Sequence, residues 1–93
     1  MVGVITIQLH LPGCRSLKEK RSIIRPFLSR LHREFNVSAA EMDKQDAWQQ
    51  AVIACGMMGN DAAHLERSLQ EVVRWVESHW PDGEVIEERI EII

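Results

Sequence analysis

An α+β sandwich, four antiparallel strands with two helices on one face, is the fold class that this 93-residue sequence predicts. Three observations predict it. Residues 2–11 and 84–93 carry apolar side chains at period two, the signature of a strand with one buried face. Residues 24–35 and 62–80 carry them at period 3.6, the signature of an amphipathic helix. The segments follow one another in the order strand, helix, strand, strand, helix, strand.

The elements follow in turn. In residues 2–11, Gly3, Ile5, Ile7, Leu9 and Leu11 point one way, and Val4, Thr6, Gln8 and His10 the other. Pro12 and Gly13 end this strand. Ser16 and Glu19 form a capping-box pattern that opens a helix. Ile24, Phe27, Leu28, Leu31 and Phe35 line one of its faces, and Lys18, Arg21 and Arg25 another. Pro26 removes one amide inside it, so a kink is expected there. Residues 35–43 read as a second strand, 43–46 as a polar turn and 48–58 as a third strand. The third is the more continuously apolar, so the first and third are placed at the middle of the sheet. Asp61 caps the second helix, which runs to about Trp80 before Pro81 and Gly83. Its stripe is Ala62, Leu65, Leu69, Val72, Val73, Val76 and Trp80. In the last strand Ile86, Ile90 and Ile92 share a face with Glu88, which calls for a frayed edge or a bulge. This order is the ferredoxin-like βαββαβ plan, one domain over residues 1–93.

Composition bounds the function. With 45% hydrophobic and 27% charged residues the chain is globular rather than disordered. A net charge of −3 and a pI of about 5.8 exclude a generally basic nucleic-acid-binding domain. No apolar run is long enough to span a membrane, and the alternating N-terminus has no basic region like that of a signal peptide. Two separated cysteines outside any CxxC pattern point to a reduced, cytoplasmic setting. The mean charge hides an asymmetry. Residues 1–40 carry seven basic and two acidic side chains, and residues 41–93 four basic and twelve acidic. Such a split marks a polyanion-binding face, a head-to-tail partner, or only two solvated surfaces.

Several segments together carry a resemblance. They are 16–21 (SLKEKR), 35–41 (FNVSAAE), 46–49 (DAWQ) and 59–61 (GND). In combination they resemble the YlxP-like family of small uncharacterised bacterial proteins, in register from Val2 to Ile92. Pro26 and Gly59 depart from that family's pattern. The resemblance implies a ferredoxin-like fold and no established activity, so it transfers no catalytic residue. The family's genes often lie near those for translation initiation factor two and ribosome-binding factor A. By association, that implies a role near translation or ribosome maturation.

Four groups of residues are candidates for function. Arg15, Lys18, Lys20, Arg21 and Arg25 crowd the start of the first helix, where free amides and the helix dipole also favour anions. Cations there oppose the dipole, a small cost that function explains and that a plain solvated helix also tolerates. The open sheet face, with Gln8 and His10, lacks the strand aromatics of RNA-recognition domains and suits a dimer or partner contact better. Trp48, at the start of the third strand, and Trp75, one position off the second helix's stripe, are interface candidates. His10, His32, His64 and His79 have no ligand spacing, so no metal or cofactor is expected. Cys14 lies beside Arg15 before a helix, a setting that favours thiolate, yet no His or Asp is placed to serve it. Acylphosphatases share the fold, but residues 11–16 lack their phosphate-loop pattern.

The favoured expectation is a non-enzymatic cytoplasmic module, dimeric, that meets RNA or the ribosome through the basic helix, with no small-molecule substrate. Its alternative is a protein–protein module using the open sheet face. A small phosphate-handling enzyme is the distant third.

Overall fold

The computed structural model describes residues 1–44 and 46–93. Six elements follow in order: β1 (Val2–His10), α1 (Leu17–Glu34), β2 (Ser38–Asp43), β3 (Gln50–Met58), α2 (Ala62–His79) and β4 (Glu84–Ile92). They form a four-stranded sheet in the order β2-β3-β1-β4, every pair antiparallel, so the two most apolar strands are central as expected. The ferredoxin-like α+β plan holds. The turn expected at 43–46 includes Gln45, which lies outside the described residues.

The alternation of β1 decides which face is covered. Ile5, Ile7 and Leu9 are buried beneath the helices together with Ala51, Ile53 and Cys55 of β3. Ile24, Phe27 and Leu31 of α1 and Leu69, Val72, Val73 and Val76 of α2 close the core from above. Trp80, which ends α2, stacks on Phe27 with ring centroids 4.3 Å apart. Gly83 follows where the chain passes close by: a Cβ there would lie 2.8 Å from Trp80 and 2.9 Å from the His10 carbonyl oxygen. Both helix caps form. The Ser16 hydroxyl accepts from the Glu19 amide, and the Asp61 carboxylate accepts from the Ala63 and His64 amides.

Helix α1 continues through Pro26, in line with a stripe that stays in phase across it. Three expectations need correction. Helix α1 runs on to Glu34, so Phe35 serves as its C-cap and β2 begins at Ser38 rather than at residue 35. Strand β3 begins at Gln50, leaving Trp48 in the bend before it. Ile86 does not share a face with Ile90 and Ile92. Gln8 pairs with Glu87 and Leu9 with Val85, so Ile86 is the extra residue of a bulge and is exposed. Val85 takes the covered position, and Glu88 stays in phase with Ile90, opposite Ile7 but exposed at the sheet edge. Strand β2 bulges at the same level: Glu41 pairs with Ile53 and Asp43 with Val52, which leaves Met42 over. Both edge strands therefore deviate beside the Gln8–Val52 pair. This deters edge-to-edge association. The stripe of α2 is as expected apart from Ala62, which is exposed.

Candidate functional site

The first helix sorts its cations by angle. Lys18, Arg21 and Arg25, at i, i+3 and i+7, are exposed on one face and border a shallow hollow of about 380 Å³ with Ser22 and Pro26. No ion pair among the described residues involves any of the three. Arg15 is exposed in the segment between β1 and α1.

Lys20 does not join them. Its side chain is 2% exposed, and its Nζ lies 2.6 Å from Glu41 Oε2 and donates to the Lys44 carbonyl at 2.7 Å. The reason is phase. Lys20 stands four residues before Ile24, so it shares the stripe Ile24, Phe27, Leu31 that faces the sheet. That spacing was present in the sequence, but the residue type drew it to the wrong face. A buried ammonium needs a charged and hydrogen-bonded partner, and β2 supplies both. Lys20 is therefore removed from the candidate anion-binding set.

The same contact builds the segment between β2 and β3. Lys44 has φ 60°, a left-handed conformation that strains a non-glycine residue. Three bonds hold it there. Its amide donates to Asp43 Oδ1, and its carbonyl accepts from Lys20 and from the Ala47 amide. At the far end of the segment the Leu11 amide donates to the Gln49 carbonyl. Gln49 Nε2 in turn donates to the carbonyls of Pro12 (3.4 Å) and Cys14 (3.2 Å). The β2–β3 segment is thus tied to the start of α1 at both ends. Trp48, next to Gln49, is 54% exposed.

The other candidates are scattered. Gln8 and His10 are half-buried on the open face, His10 4.0 Å from Glu84. Trp75 is drawn inward. It stacks with Phe27 and His79, meets Phe35 edge-on, and carries the Arg30 guanidinium 5.0 Å above its ring. It joins the two helices and stays half-buried. Cys14 is buried and its thiol donates to the Ser16 carbonyl, the opposite of an exposed thiolate. Burial pushes the Cys55 thiol up to about 11. Among the described residues no group of three His, Cys, Asp or Glu could hold a metal ion. Among the described residues no helix is long and apolar enough to cross a membrane.

One hollow was not visible in the sequence. It measures about 440 Å³ where α1 ends and α2 begins, floored by Phe35, Val37 and Met57 and walled in part by His64 and Arg67. Three separate segments contribute to it, so no single motif announces it.

Comparison with known proteins agrees with the sequence resemblance. A family model described as "Protein of unknown function (DUF503)" matches residues 2–90. The "Uncharacterized protein YlxP" of Bacillus subtilis (strain 168) is 31% identical over 78 residues, covering 84% of this chain and 85% of that protein. With the ferredoxin-like fold and the family model both spanning almost the whole chain, the protein belongs to the DUF503 family of proteins of unknown function.

Proposed function

We propose that this protein is a non-enzymatic binding module that holds RNA, at or near the ribosome, on the outward face of α1. The observation that supports it is the row Lys18, Arg21 and Arg25, exposed around one hollow and free of ion pairs among the described residues. Cations at this spacing meet successive phosphates along one side of a strand, while an isolated solvated lysine has no such register. Arg15 extends the row past the helix start. With four cations engaged, log K should fall with log salt at a slope of about −3 for a single strand.

Binding of labelled RNA at low and moderate salt tests this. The double variant Lys18→Glu, Arg21→Glu is expected to weaken binding at least about tenfold and to flatten the slope by about half. Unchanged affinity in the variant, or no binding by the native protein at low salt, refutes the reading. Both substitutions lie on exposed positions, so the fold is kept. Lys20 is left untouched because it is structural.

A second reading is self-association through the open sheet face. It is favoured by one apolar corner, where Val4, Ala54 and Gly56 lie half-buried and Met58, paired with Val2, is 81% exposed.

A further inference from the structure

We propose that the anion-binding face extends onto the β2–β3 segment, with Trp48 as a platform on which an unpaired base stacks, so that the ligand is single-stranded RNA. This rests on the reading that α1 binds RNA, and it names the form of RNA and a second recognition element.

Trp48 is the one strongly exposed aromatic residue among those described. Phe27 and Trp80 are in the core, and Phe35 and Trp75 are packed against each other. An indole left in water in the bend before β3 gives up about 25 cal/mol for each Å² of apolar surface that burial would have removed. The chain next to it is tied to the segment before α1. Trp48 and Arg15 each stand one residue from the 3.2 Å bond between the Gln49 side chain and the Cys14 carbonyl. The strained Lys44, three bonds deep in its network, fixes the other end of the same segment against α1. Strain of this kind persists where surrounding structure over-determines it, and it concentrates at sites that need a preset geometry. An exposed indole on a segment hydrogen-bonded to the start of a cationic helix offers the pairing that single-strand-binding proteins use. The cations follow the backbone, and the ring takes the face of any base. A duplex keeps its bases stacked on one another and cannot use the ring. Glu19, Glu41, Asp43, Asp46 and Glu84 are the carboxylates at this end. Glu41 meets Lys20 and the Asp43 carboxylate accepts the Lys44 amide, so Asp46, two residues from Trp48, is the one expected to oppose a phosphate beside the ring.

The test compares three probes at low salt: a single-stranded oligouridylate, an RNA duplex of equal length, and heparin, a polyanion without bases. The native protein is expected to bind the single strand best and to lose indole fluorescence on doing so. Trp48→Leu should weaken single-strand binding about fivefold to a hundredfold and leave heparin binding unchanged. Trp48→Phe should retain most of the affinity, and Asp46→Asn should raise it. If Trp48→Leu binds the single strand as the native protein does, or if fluorescence is unmoved on binding, the stacking role is wrong and the α1 reading survives. If the native protein binds neither RNA nor heparin, the α1 reading itself fails. The exposed position keeps the variants folded, which their circular dichroism verifies.

Discussion

Lys20 is held within the protein by two contacts that no other cation of α1 makes, the Glu41 carboxylate and the Lys44 carbonyl. Removing one member of such a pair leaves a charge in a poorly solvated site, which is costlier than the pair itself is favourable. Lys20→Ala is therefore expected to destabilise the protein by about 3 kcal/mol, read from the midpoint of urea denaturation. Lys20→Met combined with Glu41→Leu should recover most of that loss, because no unpaired charge remains. Equal losses in the single and double variants would show that the attraction to Glu41 and the bond to the Lys44 carbonyl, not a charge left without its partner, carry the effect. Lys20 also explains how one basic segment serves two purposes. A rotation of about 100° per residue separates it from Arg21, so adjacent cations meet opposite environments.

The elements show how far local pattern reaches. Both helix caps and both apolar stripes could be read directly, since the bonds of a cap close within four residues and helix periodicity repeats every turn. The start of β2 could not. Phe35 and Val37 alternate as a strand would, yet they are used to leave α1 and to floor the hollow beside α2. The bulge in β4 was legible only as a conflict, with Glu88 in phase with isoleucines. Its location depends on pairing with β1. Because Ile86 is the surplus residue, deleting it should leave a regular ladder from Val85 onto Glu87. Its deletion is expected to shift the melting temperature by no more than a few degrees. Deletion of Ile90, which moves every later residue to the opposite face, should prevent stable folding. A large loss from deleting Ile86 would mean that the bulge itself is needed.

Across the molecule, the charge asymmetry of the sequence becomes a division of space. The basic helix α1 packs over β2, while acidic β4 lies at the other end of the order β2-β3-β1-β4, under α2. Repulsion from the carboxylates of β4 is therefore displaced from the row Lys18, Arg21, Arg25, while Glu41 on the α1 side is engaged by Lys20, and a chain of net charge −3 can still present a local cationic face. Self-association through the open face belongs here too. A face of three nine-residue strands and the six-residue β2, about 30 Å long, offers roughly 500 Å², at the small end for a specific interface. That reading expects a sedimentation mass near twice 10.7 kDa, reduced to the monomer by Met58→Asp. A native mass of 10.7 kDa at working concentrations removes it.

By itself the sequence determined the element order, the covered face of β1, the two helix caps and the presence of a cationic row on α1. Each of these depends on residues a few positions apart, where geometry is set by backbone period alone. The tertiary structure decided which cations are free, since the fate of Lys20 turns on Glu41 and Lys44, more than twenty residues away. It decided that Trp75 is used within the protein while Trp48 is not. It also tied Gln49, next to Trp48, to Cys14, next to Arg15, through a hydrogen bond spanning thirty-five residues of chain. Contacts at that separation leave no periodic trace, because they arise from how the elements stack and not from the pattern within any one of them.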